Sequence, residues 1–165
     1  MLDCETPLGR FFIEEQYRVQ NVLTGRGYTV INTSGADNNT DVILAKEIEG
    51  RLTITGLAEI KCRKSAGGVP LTREYLKENG GYLITYSKLK FGAHASSLYS
   101  VPFFVIVSLM DEGVILVWQI TDTRGNYVEK IDVRETATRK TVNGGEIVRK
   151  NAFLSMESKF LTVIE

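Results

Sequence analysis

The chain has 165 residues, 43% of them hydrophobic and 24% charged, with equal numbers of acidic and basic side chains and a net charge of zero. That length suits a single domain, 1–165, with a core of its own, and neutrality argues against a bulk nucleic-acid binder. No apolar run is long enough to cross a bilayer, Cys4 and Cys62 lack metal-ligand spacing and argue against a disulfide scaffold, and the first residues show no secretion leader, so a reducing cytoplasm is expected.

Phe11 to Leu23 carries apolar residues at near-helical spacing and predicts a first helix, ended by Gly25 and Gly27. Tyr28 to Asn32 predicts a short strand. The turn formers from Thr33 to Thr40 predict a loop. Asp41 to Ala45 predicts a second strand. A turn at Glu49-Gly50 leads into a third, Arg51 to Cys62. Ser65 to Pro70 is a Gly-rich loop. Thr72 is placed to cap a short helix through Asn79, closed by Gly80-Gly81. Thr85 is placed to cap a longer one through about Ser100, whose small residues (Gly92, Ala93, Ala95, Ser96, Ser97) let it lie close to a sheet. Pro102 stops it. Phe103 to Leu109 and Val114 to Ile120 predict two strands around the turn Asp111-Glu112-Gly113, the first of them buried on both faces. Beyond Thr121 the pattern weakens. Asn126 to Arg134 reads as an edge strand, Thr136 to Gly145 as polar, and Ala152 to Ile164 has no clear period. The order of elements predicts an α/β fold, a mixed central sheet flanked by helices.

The third strand carries the chemistry. Successive side chains of a strand point to opposite faces. Ile54, Gly56, Ala58, Ile60 and Cys62 form one small, apolar face. Thr53, Thr55, Leu57, Glu59 and Lys61 form the other, which ends in an acid and an amine. In a hairpin of the second and third strands, the start of one lies beside the end of the other, so Asp41 is expected to meet Glu59. Two carboxylates and an ammonium suit a hard divalent cation and a phosphodiester. Glu15 falls within the apolar stripe of the first helix, where a carboxylate is either paired or functional. Lys88 sits in the first turn of a helix, unfavourably for the helix dipole, which suggests a task such as holding a phosphate. His94, the sole histidine, is read as structural. Trp118, Tyr75, Tyr82, Tyr86 and Tyr99 are read mainly as packing residues. Charge is unevenly spread: Met1 to Ile60 carries a net −4, Lys61 to Lys90 a net +5, and the remainder −1. A basic stretch thus begins at Lys61, as phosphate-binding surfaces require.

Glu15, Asp41 and Glu59-Ile60-Lys61, in this order of elements, resemble the PD-(D/E)xK nuclease superfamily with its restriction-endonuclease-like αβββαβ core, over about residues 11–120. Thr40 stands where that motif has proline. The resemblance implies a Mg²⁺- or Mn²⁺-dependent deoxyribonuclease, with Asp41, Glu59, the Ile60 carbonyl and Glu15 around the metal. Lys61 would orient or deprotonate the attacking water and offset transition-state charge. Arg63, Lys64, Lys88 and Lys90 would contact DNA. Residues 121–165 would be an extension for substrate recognition or dimerisation. Junction-resolving, restriction-type and small phage or mobile-element nucleases share this build. Two other readings stand beside it: a catalytically silent nuclease-fold module that binds nucleic acid or a protein, and an α/β protein of unrelated function.

Overall fold

The computed structural model describes residues 6–33, 41–65, 68–139 and 146–165. Cys4, Thr40 and most of the predicted 33–40 loop lie outside the described residues, as do 66–67 and 140–145.

Helix α1 (Pro7–Gly25) starts earlier than its apolar spacing suggests. The Thr6 hydroxyl accepts the Gly9 N–H at 3.0 Å, and Pro7 contributes a pre-set φ where no N–H is needed. Strands β1 (Thr29–Asn32), β2 (Val42–Ile48) and β3 (Arg51–Arg63) follow as an antiparallel meander. Then come α2 (Arg73–Glu78), β4 (Tyr82–Thr85), α3 (Tyr86–Tyr99), β5 (Phe103–Leu109) and β6 (Val114–Gln119). The last quarter supplies β7 (Asp132–Arg139), β8 (Glu146–Leu154) and β9 (Leu161–Ile164). The fold is mixed α/β. One sheet has the order β1-β2-β3-β5-β6-β9, and only its β3–β5 pair is parallel. The other, antiparallel, has the order β4-β8-β7.

Alternation along β3 and β5 sorts the six-stranded sheet into two cores. On one face Val19 and Leu23 of α1 pack with Val42, Ala58, Ile60, Cys62 and Ile106. On the other, Leu57, Val105, Val107 and Trp118 pack with Leu89 of α3, Tyr82 and Ile84 of β4, and Ala152 and Leu154 of β8. Glu59 and Lys61 lie in register with Val105 and Val107, so they share this second face. Ile54 departs from the expected apolar face and is exposed. Strand β5 begins opposite Leu57, and a bulge at Thr55 shifts the register of the first half of β3.

Several expectations change in the C-terminal half. Strand β4 is unforeseen, because its four residues run directly into α3 and Thr85 serves as both strand end and N-cap position. Thr85 makes no side-chain cap. The predicted edge strand Asn126 to Arg134 is displaced: only an isolated Thr121–Tyr127 bridge forms there, and pairing proper starts at Asp132. Cys62 is a buried free thiol, its pKa pushed up to about 11 mainly by burial. Among the described residues no helix is long and apolar enough to cross a membrane.

The small residues of α3 do bring it against the sheet. A Cβ built on Gly92 would lie 2.2 Å from the Phe103 ring. Ser96, fully buried, donates to the Val101 carbonyl at 2.5 Å and sits 2.7 Å from the Thr121 hydroxyl. Gly92→Ala is therefore expected to cost about 1–3 kcal/mol through overpacking, read as a lower denaturation midpoint. An unchanged midpoint would contradict this close approach.

Candidate active site

The start of β2 lies against the end of β3. The Asp41 N–H donates to the Ala58 carbonyl at 3.0 Å, and Val42 is the register partner of Ala58. Beyond that point no described residue of this segment pairs its backbone with β3. The Asp41 carboxylate fills the gap: its Oδ2 accepts the Ile60 N–H at 2.8 Å. This hydrogen bond fixes the acid on the edge of β3, next to Glu59. The N–H and carbonyl of one strand residue face the same edge, so the Ile60 carbonyl lies on the Asp41 side as well.

Glu59 is 0% exposed. Its Oε1 lies 2.5 Å from Lys61 Nζ and 3.3 Å from Lys88 Nζ. Lys61 Nζ also lies 3.9 Å from Asp41 Oδ2. Two carboxylates and two ammonium groups therefore share one small volume, with formal charges that cancel. Neither Glu59 oxygen accepts a hydrogen bond among the described residues. A fully buried carboxylate oxygen without a partner is costly, so the site has coordinating capacity that the protein itself does not use.

Burial raises the Asp41 pKa, and the neighbouring Glu59 charge adds to the rise. Lys61 and the Ile60 N–H only partly offset it. A carboxyl whose pKa is higher folded than unfolded favours the fold when protonated. Its contribution is complete below the ordinary aspartate pKa and is lost as pH rises through the raised value. In EDTA, Asp41→Asn is thus expected to melt above the wild type at neutral pH, with the gap closing as the solution is acidified. Thermal melts across pH check this. A gap that widens on acidification would contradict it.

Glu15 is not brought into this group, which corrects the expectation of three converging acids. Helix α1 packs on the opposite face of the sheet. Glu15 accepts the Arg18 Nη2–H at 2.6 Å and the Ser108 hydroxyl at 2.6 Å. Ser108 is in register with Cys62 on the α1 face. Burial opposes ionisation of Glu15, but Arg18 and Ser108 together hold its pKa below the ordinary value. Ser108 carries no expectation from the motif, although a hydroxyl in the apolar run Phe103–Leu109 is itself a signal of a buried polar partner.

The four expected DNA contacts also separate. Lys88 turns inward to Glu59. Lys90 is exposed, with its ammonium 5.9 Å from the Tyr86 ring centre. Arg63 lies over the Tyr82 ring on the Glu59 face. Lys64 reaches the other way, over Phe11 of α1. Tyr82 itself is buried and stacked on Trp118, as a packing residue should be. After β3 the chain is pinned by Asp111, whose Oδ2 accepts the N–H groups of Ser65 and Leu71 at 2.8 and 2.9 Å. Those two donors lower the Asp111 pKa.

Among the described residues no cluster of three or more His, Cys, Asp and Glu side chains gathers. At this position the protein offers two carboxylates and a backbone carbonyl. That set fits Mg²⁺, which commonly takes one or two carboxylates and keeps several waters, better than it fits an all-protein cage. Searches of protein-family models, curated proteins and solved structures find no match.

Proposed function

We propose that this chain is a metal-dependent nuclease of the PD-(D/E)xK, restriction-endonuclease-like class, hydrolysing DNA phosphodiester bonds. The observation that carries the proposal is the convergence of Asp41 and buried Glu59 around Lys61, with neither Glu59 oxygen accepting a hydrogen bond among the described residues. The succession of α1, three antiparallel strands, α3 and a β5 parallel to β3 also supports it.

Asp41 and Glu59 are the side chains that would hold Mg²⁺ or Mn²⁺, with the Ile60 carbonyl beside them. When bound, the ion supplies Lewis acidity toward a phosphoryl oxygen and makes water a better nucleophile. The Ile60 N–H keeps Asp41 oriented. Lys61, the ammonium nearest both acids, donates hydrogen bonds to the attacking water or to a non-bridging oxygen and offsets charge in the transition state. Lys88 approaches the same acid from α3 and holds Glu59 against the helix. Water would add to phosphorus and give up a proton to solvent as the P–O3′ bond breaks, and the departing 3′-oxygen would take up a proton in turn. The products are a 5′-phosphate and a 3′-hydroxyl.

The alternative is a silent module that binds nucleic acid or a protein. One observation favours it: Lys61 and Lys88 already neutralise the two acids without a metal. Supercoiled, linear, single-stranded and branched DNA incubated in Mg²⁺, Mn²⁺ or EDTA separate the two. Cleavage that EDTA and Asp41→Ala both abolish is expected. Binding without cleavage in either metal would leave the silent module.

A further inference from the structure

The smaller sheet ends in an arm. Strand β4 covers β8 only as far as the Thr85–Asn151 pair. Beyond it β7 and β8 continue alone for five more pairs, from Glu135–Lys150 to Arg139–Glu146. At about 3.4 Å per residue this ribbon is roughly 17 Å long. Glu135, Lys150, Ala137 and Val148, which share one face, are all exposed; on the other face Arg149 is exposed while Thr136 and Ile147 are half-buried. A two-stranded ribbon standing alone is marginally stable in water, and Val148 exposes an apolar side chain there at 67%.

Two features say what such an arm fits. Adjacent strand residues point to opposite faces, so Arg149 and Lys150 put one cation on each side of the ribbon. Neither forms an ion pair among the described residues, whereas Arg73, Lys77 and Arg134 all do. The second feature is position. Thr85, which pairs with the ribbon's root at Asn151, directly precedes α3, and Lys88 in the first turn of α3 reaches Glu59. The arm therefore springs from the end of the molecule that holds the Asp41–Glu59 site.

We infer that the β7–β8 ribbon grips duplex DNA by lying in a groove, with Arg149 and Lys150 facing the phosphate walls, and so sets which phosphate meets the Asp41–Glu59 site. The major groove of B-DNA is wide enough for a two-stranded ribbon, and its two walls of phosphate match a cation on each ribbon face. The identity of the polymer rests on the nuclease proposal above.

The test is fluorescence anisotropy of a labelled duplex in EDTA, across a salt series, with the full chain. Arg149→Gln/Lys150→Gln is compared with wild type, and Lys159→Gln serves as a surface control. The double variant is expected to bind roughly tenfold more weakly, with the log–log salt slope reduced by about two, while the control keeps the wild-type slope. An unchanged slope in the double variant overturns the inference, as does a wild-type chain that does not bind the duplex. A wild-type dimer that the double variant converts to monomer, with no change in slope, assigns the ribbon to a second copy and also overturns it. The binding assay needs no chemistry, so its outcome stands apart from the nuclease proposal. A reduced slope without cleavage removes the nuclease and leaves the grip; cleavage with an unchanged slope does the reverse.

Discussion

Lys61→Met is expected to lower the rate of metal-dependent DNA cleavage by roughly 10²–10³-fold, the usual cost of removing one preorganised donor from a developing oxyanion. The same substitution is expected to tighten Mn²⁺ binding. The Lys61 ammonium lies 2.5 Å from Glu59 Oε1 and 3.9 Å from Asp41 Oδ2, so it competes directly with any cation those acids would hold. Asp41→Ala is expected to behave differently, losing cleavage and metal affinity together. Single-turnover cleavage paired with calorimetric Mn²⁺ titration distinguishes the two. If Lys61→Met weakens Mn²⁺ binding, the ammonium is not a competitor and the geometry has been misjudged.

The second large effect is an asymmetry in stability without metal. Glu59 is the buried member of the charge cluster, while Lys61 and Lys88 retain contact with solvent. Removing Lys61 strands a buried carboxylate with only Lys88 beside it. Breaking a buried pair from that side costs about 3 kcal/mol. For a domain of this size that is a fall in Tm of roughly 6–12 °C. Glu59→Gln removes the charge that burial penalises and relieves its repulsion with Asp41. Its two former ammonium partners can turn to water. In EDTA its Tm is expected to equal or exceed that of wild type. A Glu59→Gln protein that melts well below Lys61→Met would mean that the carboxylate is a structural keystone and not a site held ready.

How far the chain could be read in advance follows from where its information lies. The β2–β3 hairpin was legible because Glu49-Gly50 marks the turn, which brings the start of β2 to the end of β3; counting from that turn puts Asp41 opposite Ala58, and the bulge at Thr55 shifts it one residue on, beside Glu59. The face shared by Glu59 and Lys61 was legible from strand alternation alone. Glu15 misled because helical spacing tells which side of α1 is buried but not which face of the sheet receives it. Lys88 was singled out for its poor fit to the helix dipole. Its actual partner is Glu59, a contact that depends on how α3 lies across the sheet. The last quarter resisted because β7 (Asp132–Arg139) has almost no apolar alternation, and Ala137 and Val148, paired across the ribbon it forms with β8, are exposed. Strands without a buried face leave no hydrophobic period to read.

The central claim is that Asp41 and Glu59 share one divalent ion. Crystals soaked in Mn²⁺ test it through the anomalous difference map. The account predicts a peak between the two carboxylates, bordered by the Ile60 carbonyl, with Lys61 swung off Glu59. A map with no peak at either acid and with Lys61 still seated on Glu59 would contradict it.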